Sequence, residues 1–286
     1  MSIGLSLPPA LCVDCRWKTV YTHSSTLHLV RQVWAGPFLK TPPVLLISFN
    51  RPEKTAEVLK SLQAVRPPRL YMACDGPREG RSGESAKVAA CHALAEEIDW
   101  PCEVFTQFQA HNLGCRRGVI SAIDWFFRHE ELGIILEDDI LADSSFFSFC
   151  AELLELYRNE PRVMAITGCN FQPLERNYDH SYYFSTFNHV WGWASWRRAW
   201  KFYDKELTSL DSPEVRPAIE AQSDVLGFVD HWIYNFEAVR DGRIDSWDYG
   251  WTLSCWNAGG LTCTPRTNLI RNTGFGEDAT HTHNSN

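Results

Sequence analysis

Three adjacent carboxylates, Glu137-Asp138-Asp139, follow the apolar run Gly133-Ile134-Ile135-Leu136. A strand with no polar alternation is the kind buried on both faces of a parallel sheet, and open α/β sheets gather their ligands at the carboxyl ends of such strands. Carboxylates this close repel one another. The chemistry that suits them is the holding of a hard cation, Mn²⁺ or Mg²⁺, against phosphate oxygens. A solvated acidic turn is the other reading of the same residues.

Polar groups recur at neighbouring strand ends. Ser48-Phe49-Asn50-Arg51 closes one apolar run and Cys74-Asp75-Gly76 another. An aspartate there can accept from the imide N–H of a pyrimidine, and an arginine can stack on the base or neutralise phosphate, although Asp75-Gly76 also suits an ordinary turn. The stretch from His111 to Gly118 contains Arg116 and Arg117 and leads into a helix, so it offers backbone N–H groups and two cations to an anion. It is neither a P-loop nor a Gly-x-Gly-x-x-Gly fingerprint, which disfavours simple phosphate-loop ATPases and dinucleotide dehydrogenases.

The second half of the chain is aromatic. Trp193, Trp196 and Trp200 are spaced i, i+3, i+7 as on a helix face and read as core, whereas Trp191, beside Gly192, can offer its indole to a sugar. In Asp245-Ser246-Trp247-Asp248-Tyr249 a carboxylate stands between aromatics that limit water access, as a general base requires; a capping aspartate fits equally. Near the end, Gly274-Phe275-Gly276 and Thr280-His281 combine hinges with a hydroxyl and an imidazole, a lid over phosphates or a metal, or else simply a tail.

The elements that must position these groups alternate from residue 43 onward, the sign of βαβ units. Strands are expected over 44–49, 69–74, 102–105, 133–136 and 163–167, and helices over 52–62, 82–98 and 117–129. Asp143-Ser144-Ser145 can cap a further helix running to about residue 157. Beyond Gly168 this rhythm stops, as expected where a substrate cleft replaces a regular layer. Residues 1–40 form an amino-terminal extension of unknown role; 41–140 are expected as a nucleotide-sugar half and 141–286 as an acceptor and base half.

At 286 residues, 44% hydrophobic and 13% aromatic, the chain has ample core for one large α/β domain. Its net charge of -8 argues against binding a nucleic acid polymer. Ten cysteines are scattered, and Cys12-Val13-Asp14-Cys15 has no second pair for a four-thiolate zinc site, so free thiols in a reducing compartment are expected. No run is apolar enough to span a bilayer, and the first residues lack the basic region of a secretory signal. The expected location is cytoplasmic, with peripheral contact at a membrane as the other option.

In order along the chain, these stations resemble the GT-A glycosyltransferases, above all the N-acetylglucosaminyltransferase I family, over roughly residues 43–283. The chain is also similar to bacterial glycosyltransferase-like proteins often labelled hemolytic. The resemblance implies a Rossmann-like, mostly parallel sheet flanked by helices, with an aromatic-rich acceptor half. It implies Mn²⁺ (or Mg²⁺) on Asp139 and a catalytic base at Asp248. Asn50, Arg51, Asp75, His111, Glu137, Asp138, Thr280 and His281 would surround the nucleotide-sugar, and Trp191 and Trp247 would serve as acceptor or sugar platforms. Tyr249 departs from the family, which has a second Asp after the base, and the amino-terminal anchor of the Golgi enzymes has no counterpart here. The expected reaction is inverting transfer of a sugar, N-acetylglucosamine being one candidate, from a nucleotide-diphosphate donor, expected to be a UDP-sugar. The acceptor would be a glycan, a glycolipid or another hydroxyl compound, protein-linked acceptors included. A sugar nucleotidyltransferase and a non-catalytic carbohydrate-binding protein are the alternatives; the first normally has a glycine-rich basic loop where Asn50-Arg51-Pro52 stands.

Overall fold

Val44 and Leu46 enter one apolar cluster while Leu45 and Ile47 enter another, so the first strand, β1 (Val44–Ser48), is buried on both faces. The computed structural model describes residues 40–172 and 180–274. Through them run α1 (Pro52–Val65), β2 (Arg69–Cys74), α2 (Glu84–Ala93), β3 (Glu103–Phe108), α3 (Gly114–His129), β4 (Leu132–Glu137) and β5 (Ile140–Ala142). They continue with α4 (Ser144–Leu156), β6 (Val163–Thr167), β7 (Tyr182–Ser185), β8 (Trp193–Trp196), α5 (Arg197–Trp200), α6 (Val215–Glu220), α7 (Phe228–Arg240), α8 (Asp248–Asn257), β9 (Leu261–Pro265) and β10 (Ile270–Asn272).

The expected strands and helices of the first half are present with shifted ends. Pro52 starts α1 because its fixed φ suits a first helical position, and Asp143 caps α4 by accepting from the Ser145 N–H at 2.9 Å. Val58, Leu59 and Leu62 of α1 pack with Phe146, Phe147, Leu153 and Leu154 of α4 on one face of the sheet. Val119, Ile123, Phe126 and Phe127 of α3 pack with Trp247 and Trp251 on the other. Gly133 is required where α3 crosses β4, since a Cβ there would lie 2.3 Å from the Phe126 ring and 2.7 Å from the Pro43 carbonyl oxygen.

The fold is α/β with a mixed central sheet, ordered β3-β2-β1-β4-β8-β6-β9-β7. β3, β2, β1 and β4 are parallel, whereas β8 lies antiparallel to both β4 and β6, and β7 antiparallel to β9. β6 and β9 are parallel to each other and run in the same direction as the first four strands, so the mostly parallel sheet expected from the sequence is interrupted where β8 and β7 enter antiparallel. The tryptophan spacing also resolves differently. Trp193 joins the cluster beneath α3 and Trp196 the opposite one, as strand residues three apart must, while Trp200 is reached only after the chain turns into α5. All three are buried, so their core role stands while the helix reading of 193–196 does not.

One sheet thus runs through both proposed halves, with β5 and β10 as a separate antiparallel pair in which Asn272 faces Ile140. Among the described residues no helix is long and apolar enough to cross a membrane. The eight described cysteines are free thiols.

Candidate active site

Because β1, β2 and β4 run parallel, their carboxyl ends bring Asn50-Arg51, Asp75 and Glu137-Asp138-Asp139 to one edge. Arg51, in the short link between β1 and α1, is committed to the acids. Its Nε donates to Asp138 at 3.2 Å, its Nη2 contacts the other Asp138 oxygen, and the same nitrogen lies 3.0 Å from Asp139. Burial disfavours the guanidinium charge, but Asp138 and Asp139 outweigh it and hold the proton more tightly than usual. Burial also lifts Asp138, only 3% exposed, above the ordinary carboxylate range while Arg51 pulls the other way.

Glu137 follows Ile135 on the strand and so faces the α3 side. Burial first, then the charges of Asp139, Asp138 and Asp248, push its carboxyl up to about 8. Asp248 opens α8 and comes within electrostatic reach of Glu137 across about a hundred residues of sequence, accepting a hydrogen bond from the Ser246 hydroxyl.

Asp139 is 16% exposed and closely covered by the following chain. The Thr273 N–H and hydroxyl donate to its carbonyl at 2.8 and 3.1 Å, Lys54 on α1 donates to the Thr273 carbonyl at 3.0 Å, and Gly274 abuts its carboxylate. The carboxyl groups outnumber Arg51, and a divalent cation among them would favour the charged forms that burial and mutual repulsion disfavour. Among the described residues no three His, Cys, Asp or Glu side chains are arranged to hold a metal. A site that takes one or two carboxylates from the protein and the rest from phosphate and water needs no such group, and Asp139 and Glu137 are the oxygen donors that would suit Mn²⁺ or Mg²⁺ in such a site.

The expected anion loop is already filled by protein carboxylates. Asp75 accepts from the Leu113 N–H at 2.9 Å, Gly114 N–H at 3.1 Å, Gly76 N–H at 2.9 Å and Asn112 amide at 2.9 Å. Asp245 accepts from the Cys115 and Arg116 N–H groups at 2.9 and 3.0 Å. Together they satisfy the start of α3, so its N–H groups are not free for phosphate. The two arginines of that loop point elsewhere too. Arg116 donates to the Val239 carbonyl at 2.9 Å and to the Lys205 carbonyl, and Arg117 lines an outer cleft. Burial raises the Asp75 carboxyl against these N–H donors. Reading a base would require Asp75 to give up one of them.

His111 is exposed, and its main chain lies 2.5 Å from where a Gly76 Cβ would be. Asn50 donates to Glu84 at 3.0 Å, a partnership not legible in the sequence. Glu84, 6% exposed at the start of α2, also takes the Arg78 N–H at 2.7 Å and the Arg78 guanidinium, chiefly through which its carboxyl falls from 4.5 to about 2. A depressed carboxylate contributes stability above its unfolded value and loses it as pH drops through the folded one. Glu84→Gln is therefore expected to cost about 2 kcal/mol at pH 7, with the half-exposed Arg78 discounted for screening. Urea unfolding should show that difference shrinking between pH 4.5 and about 2.

Trp247 cannot act as a platform. It is 3% exposed, stacked on Trp193 at 5.7 Å, and its carbonyl takes the Tyr203 hydroxyl at 3.0 Å. Trp191 is half-buried with the exposed Phe171 edge-on at 5.5 Å, so an aromatic face remains near β6. Thr280 and His281 lie outside the described residues. Sequence reasoning missed Glu84, Arg78, Lys54 and the capping role of Asp245, the last despite its place three residues before Asp248.

No protein-family model matches the chain, and no curated protein matches it. Among solved structures it is similar to a UDP-glucose pyrophosphorylase complexed with UDP-glucose (TM-score 0.39, 8% identity, 81% of this chain and 91% of that one). It is also similar to the inositol-1-phosphate CTP transferase from T. maritima (TM-score 0.27, 11% identity, 77% of this chain and 98% of that one). Both resemblances are distant and partial.

Proposed function

We propose that the protein is a metal-dependent glycosyltransferase of GT-A type that uses a nucleotide-diphosphate sugar and inverts the anomeric centre. The supporting observation is the meeting of Arg51 and Glu137-Asp138-Asp139, at the ends of β1 and β4, with Asp248 from α8. Asp139, with Glu137 beside it, would hold Mn²⁺ or Mg²⁺; when bound, that cation offsets charge building on the departing diphosphate. Asp138 and Arg51 keep the acids in place. Asp248 takes the proton of the acceptor hydroxyl as its oxygen attacks the anomeric carbon and the nucleoside diphosphate leaves. A single base opposite the leaving group gives inversion without a covalent sugar-enzyme intermediate.

Sugar nucleotidyl transfer is the second reading, because Lys54, a cation at the start of α1 held on the Thr273 carbonyl beside Asp139, would serve a triphosphate as readily as a diphosphate. Against it, only Phe49-Asn50-Arg51 joins β1 to α1, with no glycine-rich basic loop. Products separate the two. A panel of nucleotide sugars with Mn²⁺ should release nucleoside diphosphate, whereas nucleotidyl transfer would instead release pyrophosphate from a nucleoside triphosphate and a sugar phosphate. UDP with Mn²⁺ should raise the Tm of the wild type and not of Asp139→Ala. Stabilisation by free sugar alone, with no effect of UDP and Mn²⁺, would leave a carbohydrate-binding protein.

A further inference from the structure

The outer face of α3 and the Lys205–Glu206 turn enclose a cleft of about 270 Å³ whose lining is rich in cations. Arg116 is only 16% exposed there, its guanidinium solvated by two carbonyls, and among the described residues the carboxylate nearest that guanidinium is the 82% exposed Glu206 at 4.0 Å. Asp124 is already taken by Lys205 and by the Trp200 indole N–H at 2.8 Å. Among the described residues no carboxylate pairs with Arg117 or Arg128, both exposed. In a chain of net charge -8 this is a local positive excess. Arg117 and Arg128 are eleven positions apart, close to three full turns, so they share a face about 16 Å apart along the helix. A chain of acidic groups would reach both.

The cleft is separate from the acid cluster but adjoins the segment that carries Asp248. The Arg116 N–H is itself one of the two that hold Asp245, and Tyr203 lies within electrostatic reach of both Asp248 and the cleft residues Arg116 and Asp124. We propose that this cleft binds an acidic glycan, the part of the acceptor remote from the reacting hydroxyl, with Arg117 and Arg128 contacting its carboxylate or sulfate groups. The choice of a glycan rests on the glycosyl-transfer reading; the anionic character rests on the cleft alone.

Titration calorimetry with an oligogalacturonate, a heparin-derived oligosaccharide and neutral dextran tests this on the full chain. The wild type should bind one or both acidic probes at about 50 mM salt and lose affinity steeply by about 200 mM, while dextran does not bind. Arg117→Ala and Arg128→Ala should each weaken binding about tenfold, and the double variant should abolish it. Which acidic probe binds tells carboxylate from sulfate. Stabilisation by UDP and Mn²⁺ should survive in the double variant, and acidic-glycan binding should survive in Asp139→Ala. The proposal falls if the double variant binds like the wild type, if dextran binds as well as the acidic probes, or if neither acidic probe binds at low salt. Arginine-dependent glycan binding in a protein indifferent to UDP and Mn²⁺ would keep the cleft and remove the transferase reading.

Discussion

Exchange of Asp248 for asparagine is expected to cut sugar transfer by about 10²- to 10⁴-fold, the usual loss when a positioned general base is removed. Binding of UDP and Mn²⁺ should change by less than about twofold, because the missing interaction belongs to the transition state. Asparagine keeps the shape of the side chain and can still take the Ser246 hydroxyl bond. The segment around it has its own anchors. Asp245 holds the Cys115 and Arg116 N–H groups, Trp247 is packed on Trp193, and Tyr203 holds the Trp247 carbonyl. A rate loss in Asp248→Asn would therefore report on chemistry and not on collapse of the loop. Single-turnover transfer, measured beside thermal unfolding, makes that separation. Unchanged turnover would remove Asp248 as the base and shift attention to Glu137, the other carboxyl on the α3 side of β4.

The parts of this arrangement that could be read from sequence are those encoded within short windows. Val44 to Ile47 and Gly133 to Leu136 are apolar at every position, a pattern that only burial on both faces satisfies, and both are inner strands of the parallel part. Glu137-Asp138-Asp139 is legible as a candidate site because three carboxylates in a row suit little except solvent or a cation. The tryptophans of 193–200 were not legible as a strand. Their spacing fits a helix face, and the choice is made by pairing with β4 and β6, more than sixty residues away in one case. The cap of α3 was hidden for the same reason. Asp75 and Asp245 are chemically able to bind base, phosphate or backbone, and only the tertiary fold shows that the N–H groups of residues 113–116 already hold them. Arg51 was assigned to a ligand because an arginine at a strand end often has one; its partners in the structure are the acids of β4.

Gly274→Ala is expected to weaken Mn²⁺-dependent binding of UDP by about 10- to 100-fold, the range typical for a disturbed support of a metal ligand. A Cβ on Gly274 would sit 2.1 Å from Asp139 Oδ2 and 2.8 Å from its Cγ, and 3.0 Å from Asn272 Oδ1. Neither neighbour can withdraw freely. Asp139 is held by Arg51 on its side chain and by Thr273 on its carbonyl, and Asn272 accepts the Gly274 N–H at 2.7 Å from within a strand paired to β5. Either the carboxylate leaves the position proposed for the cation, or the chain at 273–274 lifts and releases Lys54 from the Thr273 carbonyl. Both routes reach Asp139, whereas a glycine elsewhere does not. Gly242, with φ +74 and nothing within 4 Å of where a Cβ would sit, separates local strain from this clash. Gly242→Ala should cost about 1 kcal/mol of stability and leave UDP and Mn²⁺ binding intact. Calorimetry of UDP with and without Mn²⁺ on both variants is the measurement. Equal binding by Gly274→Ala and the wild type would mean that the Asp139 carboxylate is free to move without consequence, and it would lose its claim to the cation.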